Sequence, residues 1–542
     1  MLEFVHEEFS DEERRLLAPY VTNLDGPVFA LANLSETVKG ALFARYSRSP
    51  KSLRRLFLDE FAEPAERSAG AAEAAVGERH AEELYGRIFF EYGDDSVAQL
   101  GGVHLACEQA SQLLGRVLER GRLAAYLEQS TRYVPYDDRP AGRWRFRTPS
   151  ELEDTALAAP YRAALDRAFE TYARWLGPLQ AFFRERFPRQ AEDSDFVYRM
   201  TIRAKACDTL RGLLPAATVS NVGIFATGQS YEHLLLRMRA HPLREVREYG
   251  DLMLVELRKV IPAFLRRVDL EGRGMAWSRY LEERRKATAE RAETFLADVP
   301  DPPRPLVTLT DFDPDGELKV TAACLYEETH LPDDVLLERV RALSAGERGA
   351  ILSAAVGTRE NRRHRPGRAF ERTGYRFEVL CDYGAFRDLQ RHRPLTIQWQ
   401  ELTPRHGYET PPEVDEAGAR AEWDGVMAEC ADLSTRIREA GLGPAAQYPV
   451  PMAHRIRFVM QMNAREAMHL IELRSSPQGH PAYRSVAHEL HRMIGEVAGH
   501  RGIAAAMRHV DRSAVDLERL AAERRTDERR RARRAGTAGS SP

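Results

Sequence analysis

The sequence predicts a helix-rich α+β protein built from two related halves. Three observations lead there. Apolar residues recur at three- and four-residue spacing over most of the chain, period-two alternation is confined to short runs, and the distinctive motifs occur twice in the same order. At 542 residues the chain exceeds what one hydrophobic core usually serves, so two or more domains are expected.

In chain order, helical spacing runs through "SVAQLGGVHLACEQASQLLGRVLERGRLAAYL" from Ser96, "YRAALDRAFETYARWLGPLQAFF" from Tyr161 and "LREVREYGDLMLVELRKVIPAFLRR" from Leu243. Strand-like alternation is clearest in "RPLVTLTDFD" from Arg304, "LKVTAACLY" from Leu318 and "YRFEVLCDY" from Tyr375. The last sets Tyr375, Phe377, Val379 and Cys381 on one face. The Pro-rich "ADVPDPPRPL" follows a charged helix and reads as a linker. The expected division is a first domain over 1–295, with a helical insertion at about 150–195, a linker over 296–306, a second domain over 307–515, and a charged, disordered tail over 516–542.

Composition narrows the function classes. A hydrophobic fraction of 43% with 30% charged residues describes a globular protein with a well-charged surface. A net charge of -3 gives no global basic field, which argues against a nucleic-acid-coating protein. No apolar run approaches the ~20 residues that span a bilayer. Five cysteines, Cys107, Cys207, Cys324, Cys381 and Cys430, are scattered without a CxxC pair or a preceding leader, so a soluble cytoplasmic protein is expected. His488 and His491 in "AHELHRM" form HExH and not HExxH, with no third ligand placed, so no metal is expected.

The halves echo each other. "RGR" at Arg120 and "RHR" at Arg391 lie half a chain length apart. "GQSYEHLLLRMR", ending at Arg239, matches "NAREAMHLIELR", ending at Arg474, in length and helical character, and Pro215 and Pro451 precede them at similar distances. Such a tandem duplication replaces a contact between copies with one inside the chain, which predicts a pseudo-symmetric unit. RHR alone is not diagnostic, because a second one stands at Arg363-His364-Arg365.

Context separates the two. RHR followed by a polar "ELT" or "EQSTRY" segment, with "NAR" and "ELR" further on, resembles the flavin-dependent thymidylate synthases, whose signature is RHRxxSxNExSxRY. "RGRLAAYLEQSTRY" keeps the spacing, with Arg120, Glu128, Ser130, Arg132 and Tyr133 in place, while "NAREAMHLIELR" matches the family's later helix. "YGDDSVAQ" around Ser96 resembles an early family segment, and "RAFERTGYRFEV" sets Glu371 where the family has a Glu.

The resemblance implies two thymidylate-synthase-like domains, each a small antiparallel sheet packed with long helices. It implies methylation of dUMP to dTMP with methylenetetrahydrofolate and NADPH as co-substrates and FAD as cofactor. Arg391, His392 and Arg393 fall on FAD-contacting positions, with His392 near the flavin ring, as do Glu371, Asn463, Arg465, His469 and Ser96. Ser130, Arg132, Glu128, Arg120 and Arg211 fall where the family holds dUMP. Arg474 and Arg239 both match the Arg that polarises the uracil ring. Arg suits these tasks because its rigid fork binds phosphate or adjacent ring acceptors in pairs and stays charged.

Departures are complementary. The first half has Gly121 for the motif His, Leu127 for its Asn, and Gly228 and Ser230 for the Asn and Arg of NAR. The second half keeps those residues but has Thr403 for the nucleotide-holding Ser and Gln447 opposite Arg211. Composite sites built from both halves follow, in a homodimer that forms a pseudo-tetramer without nucleic-acid or membrane partners. Two other readings remain open: a degenerate homologue that binds FAD or a uridine nucleotide without making dTMP, and a helical interaction protein.

Overall fold

The computed structural model describes residues 7–46, 49–62 and 99–514, with short pieces between 517 and 529. It contains two small sheets among helices. In the first half, β1 (Gly102–Ser111), β2 (Ala124–Glu128) and β3 (Val219–Thr227) form a three-stranded sheet ordered β1-β3-β2. In the second, β4 (Val307–Phe312), β5 (Gly374–Asp382), β6 (Thr396–Trp399) and β7 (Arg455–Asn463) form an antiparallel sheet ordered β4-β5-β7-β6. Apart from the extra β4, each half repeats one topology, with its third strand between its first and second.

The capping chemistry repeats too. Ser111 and Asp382, each ending the first strand of its repeat, cap the helices Gln112–Leu118 and Tyr383–Leu389. Thr227 and Asn463 do the same for Gly228–Arg239 and Ala464–Arg474. Each side-chain oxygen accepts an otherwise unpaired first-turn N–H, worth about 1 kcal/mol per cap.

The packing units do not follow the sequence midpoint. One compact unit comprises residues 1–109, 121–128 and 221–299, and the other 110–120, 129–220 and 300–542. The second therefore packs first-half segments against the second half. Its insertion helix, Ala158–Arg186, turns Tyr161, Leu165, Phe169, Tyr172, Leu176, Leu179 and Phe183 inward at helical spacing and lies against Arg420–Glu439. The ion pair of Arg174 with Glu422 along that contact, and that of Arg186 with Glu416 on the preceding short helix, are exposed and contribute little, so the apolar stripe carries the association.

Inside this unit, repeat-equivalent segments meet across a pseudo-two-fold. Pro215 and Pro451 form an antiparallel bridge, with Ala216 N donating to Val450 O (2.9 Å) and Met452 N to Leu214 O (2.9 Å). Glu119 and Gln390, each one residue before its Arg triplet, face one another at 3.5 Å. Tyr383 OH donates to Gln112 O at 2.9 Å, again pairing equivalent positions. This is the self-complementary contact of a dimer moved into one chain.

Two element readings are corrected. The stretch from Ser96 is not a single helix: Gly102–Ser111 is strand, Gln112–Leu118 helix and Ala124–Glu128 strand. Gln109 has φ 54°, a left-handed kink in the strand, and the buried positions Val103, Cys107 and Ala110 are spaced by four and then three, which imitates a helical period. "LKVTAACLY" lies in the helix Gly316–Tyr326, because Leu318, Ala322 and Leu325 pack together on Leu336 and Val340. Of the tail over 516–542, the residues from 530 onward lie outside those described, while Arg524 pairs with Asp193.

The second half is tied together by Arg359 and Glu472, each side chain 1% exposed, joined by two hydrogen bonds of 2.6 and 2.5 Å. Glu472→Ala strands a buried guanidinium, and a loss of about 3–5 kcal/mol in urea-unfolding free energy is expected.

Candidate functional site

The ring of the intact triplet's His is held by two partners. His392 follows the helix Tyr383–Leu389 and is buried. Its Nε2 lies 2.9 Å from Arg474 Nε, and its Nδ1 lies 3.1 Å from Glu466 Oε1. Glu466 also meets His469 Nδ1 at 3.2 Å through its second oxygen. A guanidinium can only donate, so His392 Nε2 must present its lone pair and the ring proton sits on Nδ1, donating to Glu466. Burial pushes the His392 imidazole down to about 4, reinforced by the positive charge of Arg474 and opposed by Glu466. The carboxyl of Glu466 is held down at about 2, because hydrogen bonds from His392 and His469 outweigh its burial.

His392, Glu466 and His469 bring three ligand-type atoms within 4.8 Å of one another, a possible metal seat. Arg474 decides against it. With its donor on Nε2 and the proton on Nδ1, His392 has no lone pair left for a cation. His488 and His491 each lie against a backbone carbonyl through Nε2, those of Asp511 and Ala504.

Next to this network stands Asp388, three residues before Arg391. Arg391 pairs with its Oδ1, and Arg474 Nη1 lies 3.5 Å from the same oxygen while Nη2 donates to the Asp388 carbonyl. Arg211 Nη1 approaches Oδ2 at 3.8 Å. Burial raises the Asp388 carboxyl, but Arg391, Arg474, Arg211 and Arg132 together bring it well below the usual carboxylate range. Arg132 is itself clasped in two parallel bonds by Asp208, at 2.7 and 2.6 Å, and donates to Tyr483 OH at 3.2 Å. The Arg474 guanidinium stands 5.4 Å over the Tyr483 ring, within cation–π range.

The structure thus brings together Arg391, His392, His469 and Arg474 from the second half with Arg132 and Arg211 from the first, all inside one compact unit. Around them, Asn463 caps the 464–474 helix by accepting from Glu466 N at 2.9 Å. Arg465 donates to the Pro366 carbonyl at 3.0 Å and lies 3.5 Å from Glu371, which Arg368 also holds. Arg393 is exposed, Arg120 lies 5.1 Å over the Trp399 ring, and Ser130 Oγ accepts from Arg132 N in a local turn. Glu128 and Arg239 belong to the other compact unit, where Arg239 pairs with Asp251 at 3.0 Å. Ser96 lies outside the described residues.

A cavity of about 490 Å³ adjoins the cluster, lined by Lys205, Asp208, Arg211, Asp382, Trp423 and His480 among others. Its volume falls within the range of small-ligand sites. His480 Nδ1 accepts from Ala482 N, and burial keeps its imidazole well below the ordinary histidine value, so the ring is neutral. A Cβ at Gly384 would meet Asp382 Oδ1 at 2.9 Å and Arg211 Nη2 at 3.0 Å, so this glycine makes room for the Arg.

The description "Thymidylate synthase complementing protein" matches residues 41–263 and 309–499, one stretch in each half. The chain belongs to this family. Among its relatives, a UPF0159 protein of Chlamydia muridarum is 38% identical over 530 residues, covering 96% of this chain and 98% of the relative. A UPF0159 protein of Thermoplasma acidophilum is 30% identical over 512 residues, 90% and 97% of the two chains. A flavin-dependent thymidylate synthase of Mycobacterium sp. is 29% identical over 182 residues, 33% of this chain and 67% of the relative. Membership with two matched stretches accords with the duplicated sheets and caps. No helix among the described residues is long and apolar enough to cross a membrane.

The neutral state of His392 has a consequence for stability. The unfolded imidazole takes up a proton near pH 6.5 and the folded one only near pH 4, so stability is full above 6.5 and falls as pH drops through that interval. His392 contributes on the order of 3 kcal/mol to the fall. In urea melts from pH 7 to 4.5, His392→Asn, which has no titrating group and whose amide can donate to Glu466, is expected to flatten the profile. An unchanged slope would contradict a buried neutral imidazole.

Proposed function

We propose that this protein is an FAD-dependent thymidylate synthase-like enzyme, methylating dUMP to dTMP with methylenetetrahydrofolate and NADPH, at a site composed from both halves of the chain. One observation carries the reading: Arg132 and Arg211, on nucleotide-holding positions in the first half, surround Asp388 together with Arg391, on a flavin-facing position, and Arg474, on the ring-polarising position, in the second, and the flavin-facing His392 bonds to Arg474. The substitutions that damage each repeat are thereby offset by the other.

The donor set fits the cofactor. Arg391, Arg393 and Arg465 are half-buried or exposed guanidiniums suited to a pyrophosphate, and the half-buried His469 offers a ring edge to an aromatic system, with the buried His392 ring 5.2 Å behind it. Bound FAD would supply hydride-transfer chemistry, with reducing equivalents from NADPH.

The chain's own residues orient and polarise. Arg474 is fixed in place by the lone pair of His392 Nε2 and by the Asp388 carbonyl, and it would stabilise charge developing on the uracil imide. His392 acts as a positioning residue: it accepts from Arg474 and passes its own proton's hydrogen bond to Glu466. Arg211 and Lys205 would hold the anionic end of a nucleotide lying along the adjoining cavity. Self-association of the chain into a pseudo-tetramer is part of the same reading.

The test is purification followed by turnover. The protein is expected to carry yellow flavin and to release tritium from 5-labelled dUMP, with Arg474→Ala lowering release by about 10²–10³-fold. Flavin without tritium release would favour the degenerate flavin-binding homologue, for which Gly121, Gly228 and Ser230 already speak. Absence of both flavin and release would overturn the reading.

A further inference from the structure

We propose that Asp388 is a built-in occupant of the anion position in this site and therefore a specificity determinant, setting how much a ligand's phosphate can add to its binding. The proposal rests on the composite nucleotide site above and concerns one residue that the sequence comparison did not single out.

The four guanidiniums are unequally held. Arg132 is saturated by the two bonds from Asp208. Arg474 is engaged by His392 and the Asp388 backbone. Arg391 and Arg211 remain, and both turn to the Asp388 carboxylate, one at each oxygen. Arg211 is the loosest. Its two carboxylate neighbours, Asp382 and Asp388, both stand at 3.8 Å, beyond hydrogen-bond length, and its Nη2 donates to nothing in the chain although the side chain is buried. Asp382 Oδ2 is likewise unpartnered. A buried guanidinium normally satisfies its donors, so Arg211 is poised for a better acceptor than either carboxylate provides.

A phosphate oxygen would be that acceptor, but it cannot approach Arg211 and Arg391 without meeting the Asp388 charge. Asp208 and Asp388 offset two of the four guanidiniums, and Asp382, whose carboxyl burial pushes up, offsets at most one more, which leaves about one to two positive charges for a ligand whose phosphate carries up to two negative ones. The phosphate must displace Asp388 or share the cluster with it. An uncharged nucleoside meets no such competition. Asp388 thus lowers the discrimination between nucleoside and nucleotide that the arginines alone would give.

Isothermal titration of the full chain with dUMP, deoxyuridine and inorganic phosphate tests this. For the native protein, dUMP is expected to bind no more than about 3-fold tighter than deoxyuridine. In Asp388→Asn, dUMP is expected to tighten by at least about 10-fold and inorganic phosphate to become a measurable ligand, with deoxyuridine unchanged, while Asp388→Glu behaves as the native protein. The inference is overturned if Asp388→Asn gains neither dUMP nor phosphate affinity, or if the native protein already prefers dUMP by 30-fold or more. If Asp388→Asn gains phosphate while no protein binds dUMP or deoxyuridine, Asp388 holds the anion position but the nucleotide reading fails. Should Asp388→Asn not fold, Asp388→Gln and the native dUMP-to-deoxyuridine ratio each decide the question alone.

Discussion

A buried carboxylate stays ionised when cations or hydrogen-bond donors replace the water it has lost, and buried cations have the same need in reverse. Asp388 and its four guanidiniums meet that requirement for one another, and they come from segments spread across the whole chain: Arg132 and Arg211 before the linker, Arg391 and Arg474 after it. None of these side chains could be buried alone without a large cost. The cluster therefore ties first-half segments to the second half in one compact unit, independently of the apolar contact made by the 158–186 helix.

Duplication explains how such an arrangement arises. When two copies of a domain become one chain, repeat-equivalent positions can meet across a pseudo-two-fold, as Glu119 and Gln390 do, and as the strands of backbone around Pro215 and Pro451 do. Each copy is then free to lose residues that its partner supplies. The His of the triplet survives only at His392, where it orients Arg474 through a lone pair that Glu466 secures from the other side of the ring. In the first repeat the corresponding position is Gly121, and Tyr126 OH approaches its carbonyl at 3.1 Å, a different local use of the same turn.

Much of this was legible in the sequence. The paired motifs, the strand with Tyr375, Phe377, Val379 and Cys381 inward, and the convergence of Arg132, Arg211, Arg391 and Arg474 on one region follow from spacing and resemblance, and burial bears out the strand face. What stayed hidden is the set of anions. Neither Asp388 nor Glu466 falls on a matched site position; their weight comes from residues far away in sequence. Periodicity also misled where backbone geometry intervened: one positive φ at Gln109 disguised a strand, and a β-branched run at Val320 and Thr321 disguised a helix whose packing face is Leu318, Ala322 and Leu325. Neither effect is local enough for a residue-by-residue reading to detect.

The central claim is that residues from the two halves act as one site. A double-mutant cycle between Arg211→Ala, from the first half, and Arg391→Ala, from the second, read on dUMP affinity, addresses it most directly. Because both guanidiniums face the Asp388 carboxylate, Arg391 paired with Oδ1 and Arg211 3.8 Å from Oδ2, their effects should be coupled by at least about 1 kcal/mol. Losses that add to within about 0.5 kcal/mol would show two independent positions and contradict the composite site.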